Sequence, residues 1–199
     1  MSETNPARAI LIEFLQSFPQ LSQPAVQALS EMIPVIAPSK GTVLLLEGQV
    51  PEECYFVLKG LVRQYVIDDG DERTLKFYTE SNGTVSSVHY TDQSPSTFNL
   101  ICEEDCLIIA GNMEIDARHM EQFPELGLIV KHMLESELND TRSRFTQFVQ
   151  ASPEERYLHF LQHRKDVHNR VPLHQIASYL GMTPESLSRI RKRIVSSPQ

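Results

Sequence analysis

Between residues 40 and 110 the chain runs in short apolar, β-branched stretches, and nearly every one ends in a turn signal. Thr42–Leu46 meets Glu47-Gly48, Cys54–Leu58 meets Lys59-Gly60, and Leu61–Ile67 meets Asp68-Asp-Gly-Asp71. Arg73–Tyr78 runs to Ser81-Asn-Gly83, Phe98–Cys102 to Glu103-Glu-Asp105, and Cys106–Ala110 to Gly111-Asn112. Strands this short, at this regular spacing, close only as a sandwich or a small barrel, with the glycines marking corners.

The flanks carry a helical period instead. Ile10, Leu11, Phe14, Leu15 and Phe18 form one amphipathic run. Val26, Leu29, Met32 and Ile33 form a second, which starts near Ser22 and stops at Pro34. After the strands, 116–123 reads as a short helix, and a long one follows from Glu125 to about Val149. Leu126, Val130, Leu134, Leu138, Thr141, Phe145 and Phe148 recur every three or four residues along it, close to a coiled-coil seam. Ile129 and Met133 add a second apolar face in its first half. The expectation is one face on the barrel and one on the same helix of a second copy, so the seam predicts a homodimer. Ser152, Pro153 and Glu155 then form a capping-box start, which places a domain junction near Gln150: a sensor domain over 1–150 and a second domain over 151–199.

The last thirty residues read as two short helices about a tight turn. Pro172 suits a first helical position, and Ile176, Ala177 and Leu180 share a face. Gly181 can end a helix in the left-handed conformation. Thr183 is an N-cap residue, Pro184 fits a first turn, and Leu187, Ile190 and Ile194 face inward. Small, Gly, apolar, apolar at 177, 181, 187 and 190 is the spacing of a helix-turn-helix, whose second helix enters the DNA major groove. The outer stripe of the 183–194 helix holds Glu185, Ser188 and Arg189, suited to base edges, since Arg pairs with guanine and Glu accepts from cytosine. Thr183, Arg191, Lys192 and Arg193 are placed for phosphates. A solvated basic face is the plain alternative, but turn, cap, core and charge all agree on the first reading.

Net charge is −8 over 199 residues, which by itself argues against DNA, but its distribution reverses the argument. Residues 153–199 carry +4 and residues 1–152 carry −12, a local basic module on an acidic body. No run approaches the ~20 apolar residues of a membrane span, and the start lacks signal-peptide character. The expectation is a cytoplasmic protein with no membrane partner. Cys54, Cys102 and Cys106 do not make a disulfide framework, and Cys54 reads as a packed thiol. Cys102 and Cys106 are four apart on strand and turn with no His nearby, so neither a metal nor a redox role is expected. Only His89 falls near the strands, too few ligands for a metalloenzyme barrel, and no nucleophile–base pairing is evident. Catalytic residues are expected to be none.

The order of helix pair, glycine-cornered β-roll, long helix and helix-turn-helix resembles the Crp/Fnr family of bacterial transcription regulators. Leu45-Leu-Glu-Gly48 and Tyr55 through Arg63 are similar to the start of that family's cyclic-nucleotide-binding roll. Ser152–Tyr157 and Ile176–Arg193 are similar to its DNA-binding domain. The resemblance implies an α+β fold: a jelly-roll-like β-roll with flanking helices, a dimerisation helix and a C-terminal helix-turn-helix. It implies double-stranded DNA, a second copy and RNA polymerase as partners, with signal input at the roll. The departures are equally specific. Family members that bind cyclic AMP carry Gly-Glu, and about ten residues later Arg-Ser or Arg-Thr. The matching stretch here, 83–97, has no Arg, Lys or Glu. A buried phosphodiester without its cation is costly, so cyclic AMP is not expected. No Cys precedes position 54, so no iron–sulfur cluster is expected, and His89, His119 and His132 are poor candidates for haem. No cofactor is predicted. Five residues follow Ile194 in this sequence, so the β-hairpin wing that many members carry after the recognition helix is not expected here. Arg63, Ser86, Ser87, Ser96 and Thr97 are the polar candidates for lining an effector pocket, which is expected to be either open to an unknown small molecule or filled. The competing reading is a small-molecule-binding β-roll without specific DNA activity.

Overall fold

The computed structural model describes residues 6–85 and 88–196. Two helices, α1 (Pro6–Gln16) and α2 (Gln23–Met32), lead in, and the Ser22 hydroxyl caps α2 by accepting from Ala25 N. Eight strands follow: β1 (Val35–Ile36), β2 (Val43–Leu45), β3 (Cys54–Lys59), β4 (Val62–Asp68), β5 (Asp71–Tyr78), β6 (Thr84–Val85), β7 (Asn99–Cys102) and β8 (Leu107–Gly111). A short helix, α3 (Val88–Asp92), lies between β6 and β7. The strands make two antiparallel four-stranded sheets, ordered β1-β8-β3-β6 and β2-β7-β4-β5. The β4–β5 hairpin is the longest pairing, with Asp68 opposite Asp71. Asp69 and Gly70 both take positive φ, 52° and 85°, as a two-residue hairpin turn that follows the sheet twist requires. The roll's own core is Val57, Val62, Tyr78, Leu100, Cys102, Cys106 and Ile108.

The helices after the roll are α4 (Met113–Gln122), α5 (Glu125–Gln150), α6 (Pro153–His163), α7 (Lys165–His168), α8 (Leu173–Tyr179) and α9 (Pro184–Ser196). Among the described residues no helix is long and apolar enough to cross a membrane. Ile129 of α5 is buried with Leu11, Leu15 and Leu29 of the first two helices, so one face of α5 does cover the roll's N-terminal side.

All six strands expected from the sequence are present. The additional β1 and β6 are two residues each, and α7 is four, too short for any period to show. Helix α4 starts three residues earlier than expected, because Asn112, read as a turn residue, is its cap and accepts from Ile115 N at 2.9 Å. Pro172 lies one position outside α8, with extended backbone, rather than in its first turn. The capping box at α6 is formed: Ser152 Oγ accepts from Glu155 N, and Glu155 Oε2 accepts from Ser152 N at 2.7 Å.

Candidate nucleic-acid interface

Helices α8 and α9 meet through Ile176, Ala177, Leu187 and Ile190, all buried. Burying each of the larger three contributes about 1.5–3 kcal/mol. Gly181 takes φ +66°, and a Cβ there would lie 2.5 Å from Cε2 of Phe148, near the end of α5. The turn therefore needs glycine for two reasons, one of backbone and one of space. Thr183 begins α9 by accepting from Ser186 N at 3.2 Å, and its hydroxyl also contacts Ser186 Oγ. That hydroxyl serves the cap first.

Glu185, Ser188 and Arg189 are all exposed on one side of α9, as their spacing predicts. The Glu185 carboxyl is held below its ordinary range by its own backbone N–H and the Thr183 hydroxyl, so it presents an anion that only accepts hydrogen bonds. Lys192 is exposed and Arg191 half-buried, while Arg193 pairs with Glu154 of α6.

The module is fastened to the roll, a feature that sequence reasoning did not find. Leu61 and Phe77 from the roll share one hydrophobic cluster with Tyr157, Phe160, Ile176 and Leu187. Thr74 N, on β5, donates to Ser178 Oγ on α8 at 2.9 Å. Arg164 donates to the Phe77 carbonyl at 3.1 Å, and the Thr79 hydroxyl donates to Asp166. Arg170 grips two carboxylates of the roll, Glu104 at 2.6 Å and Glu80 at 2.9 Å. Glu80 in turn accepts from Gly60 N. Burial alone would raise the Glu80 pKa, but the hydrogen bonds from Arg170 and Gly60 outweigh it and hold the carboxyl below its ordinary value. No local pattern marks these pairs, because the partners are 66 and 90 residues apart.

The candidate effector residues are engaged elsewhere. Arg63 is 3% exposed, pairs with Glu103 and with Glu72 (2.7 Å), and lies over the Tyr65 ring. Glu103 also accepts from Gln175 of α8 at 2.9 Å. Ser96 is buried and its hydroxyl bonds the Phe98 backbone, whereas Thr97 is exposed beside His89. Ser86 and Ser87 lie outside the described residues. Among the described residues, no hydrogen bond joins Arg63 to Ser96 or Thr97.

The expected seam splits along α5. Leu126 and Val130 are half-buried, while Leu134, Leu138, Thr141, Phe145 and Phe148 are exposed. Phe148 nevertheless lies against Gly181 and under the Arg156 guanidinium, 4.7 Å from its ring centre, which ties the end of α5 to the helix-turn-helix.

Residues 38–123 match the family model of the cyclic nucleotide-binding domain. FixK2 from Bradyrhizobium japonicum superposes with TM-score 0.66 at 18% identity, over 82% of this chain and 85% of that one. The c-di-GMP-responsive regulator CLP of Xanthomonas campestris gives 0.67 at 16% identity, over 88% and 92%. The chain has the Crp/Fnr fold. A CooA mutant from Carboxydothermus hydrogenoformans shares that Crp/Fnr fold over 98% of this chain and 85% of its own, with TM-score 0.66 and 20% identity. Comparison with curated proteins finds no match. Within the Crp/Fnr arrangement, the roll is the segment that the family model covers, and α8–α9 stand at the opposite end of the chain.

Proposed function

We propose that this chain is a homodimeric, sequence-specific DNA-binding transcription regulator of the cytoplasm, and not an enzyme. One observation carries this reading: α9 presents Glu185, Ser188 and Arg189 outward while Leu187 and Ile190 lock its other side onto α8. Buried and exposed stripes alternate as a groove-reading helix requires. The module over 151–199 delivers the output, with Arg189 and Glu185 reading base edges and Arg191, Lys192 and Arg193 on phosphates. Dimerisation runs through the exposed apolar residues Leu134, Leu138 and Phe145 of α5. A dimer presents two recognition helices to a two-fold site, with RNA polymerase as the further partner.

The roll is the input, and its ligand is not cyclic AMP. The segment that would hold the phosphate has no Arg or Lys, and Arg63, the cation among the candidate pocket residues, already serves two carboxylates. Selection of bound duplexes from a random DNA library tests the whole reading. A two-fold symmetric consensus is the expected result, and recovery of unselected sequence overturns it.

A further inference from the structure

A cleft of about 700 Å³ lies where the C-terminal half of α5 meets α6 and the end of α8. Phe145 and Phe148 line it and are 69% and 52% exposed, so it opens to solvent. Its size is that of a small-molecule site, and junctions between domains are where such sites recur. Three guanidiniums line it, those of Arg144, Arg156 and Arg164, and Asp140 is the one carboxylate among the lining residues. Arg164 is taken up by Asp166, and Asp140 accepts from Asn82 Nδ2 at 3.1 Å. Arg144 and Arg156 pair with no carboxylate among the described residues.

Both guanidiniums are nevertheless held in place. Arg144 lies over the Tyr179 ring, 4.7 Å from its centre, and donates to the Leu75 carbonyl at 2.8 Å. Arg156 lies over the Phe148 ring at the same distance and donates to the Phe148 and Ala151 carbonyls at 3.3 and 3.5 Å. Aromatic faces and backbone carbonyls fix their positions and leave their charge unneutralised. Arg144 and Phe148 are four apart on α5 and so share a face. Arg156, seated on Phe148, therefore stands on the same side of the cleft as Arg144. Its Nε is buried and has no hydrogen-bond partner, and a buried donor left unmet is costly.

We propose that this cleft binds a small phosphate-bearing polyanion, held by Arg144 and Arg156, with any apolar remainder against the exposed Phe145. Two unpaired guanidiniums call for at least two negative charges, so the single charge of a cyclic phosphodiester meets only half of the site. Each guanidinium has already given donors to backbone carbonyls, so the remaining N–H groups reach the cleft from separate side chains. The several oxygens of a phosphoryl group suit such donors better than the planar pair of a carboxylate, which takes a whole fork. The occupant would bridge α5 to α6 and so fix the angle at which the C-terminal helices stand. Regulatory use of that bridge rests on the proposed function, whereas the binding does not.

The test uses no DNA, so its failure is separate from failure of the proposed function. The full-length protein is titrated with sodium pyrophosphate in a calorimeter at about 0.15 M salt, where attraction to exposed charge is largely screened. One saturable site per chain is the expected result. Arg144→Gln should weaken it by about tenfold or more, because glutamine keeps a donor for Leu75 but loses the charge. Ser143 is an exposed residue of the lining. Ser143→Asp brings a carboxylate to the cleft and should weaken binding likewise, which keeps the test decisive if the arginine variant fails to fold. Lys192→Ala, on α9, should leave the affinity unchanged. Absence of saturable binding overturns the proposal. Binding that Lys192→Ala weakens and Ser143→Asp spares also overturns it, since the anion then sits on α9. A site that appears only once Leu138→Asp has separated two copies overturns it as well, because a second chain then fills the cleft.

Discussion

Two residues on the helix-turn-helix have sharply different tasks. Arg189 is exposed and makes a long contact to Ser186, at 3.5 Å, which leaves its guanidinium accessible. Arg189→Ala should weaken binding to the selected site by ~1–3 kcal/mol and relax preference at one position. Fluorescence anisotropy on cognate and single-mismatch duplexes reads both effects, and unchanged affinity removes Arg189 from the interface. Gly181 acts through shape. Gly181→Ala imposes a left-handed alanine, worth about 1–2 kcal/mol, and pushes a methyl into Phe148. The melting temperature should fall without any change at the exposed stripe of α9. Gly181 was legible from the sequence because a helix, one glycine and a cap residue follow one another within a few positions. Its contact with Phe148, 33 positions earlier, was not, because that proximity is made by the bend between α5 and α6.

At the scale of elements, α5 carries both faces that its apolar period implies. Ile129 is 6% exposed against α1 and α2, whereas Leu138 is 49% exposed and Phe145 69%. An exposed leucine and phenylalanine on one helix are costly to leave in water. Leu138→Asp should convert a dimer to a monomer in sedimentation equilibrium while leaving the far-ultraviolet circular dichroism intact. A variant that stays dimeric places the interface elsewhere. The same period extends to Phe148, yet that ring also serves its own chain's turn. Periodicity assigns a face to a residue and cannot say which neighbour will cover it.

The molecule as a whole is joined by charge as well as by apolar contact. The +4 of residues 153–199 reads from the sequence as a DNA footprint, but Arg170 uses its charge on Glu80 and Glu104, and Arg164 sits on Asp166. Burial would raise the Asp166 pKa, but Arg164 and Thr79 outweigh it and hold the carboxyl down. With Glu80 also held low, both carboxylates stabilise the folded chain above their unfolded values of about 4. That contribution is lost as pH falls through the lower folded values. The urea midpoint should be flat from about pH 7 to 5 and drop below about 4, less steeply in Glu80→Gln; equal slopes would detach Glu80 from the docking. The proposed input at the roll gives a second test at this scale. Titration calorimetry with cyclic AMP should give no micromolar binding, and a micromolar isotherm would mean that a cation other than Arg63 reaches the phosphate. The chain's own order of residues determined the strands, the apolar period of α5, the caps and the exposed stripe of α9, because each is set by neighbours within about one helical turn or one hairpin. Only the tertiary structure decided that Glu103 and Glu104 hold the C-terminal helices. Those contacts join residues 66 to 90 positions apart, and no local period records which distant charges will meet.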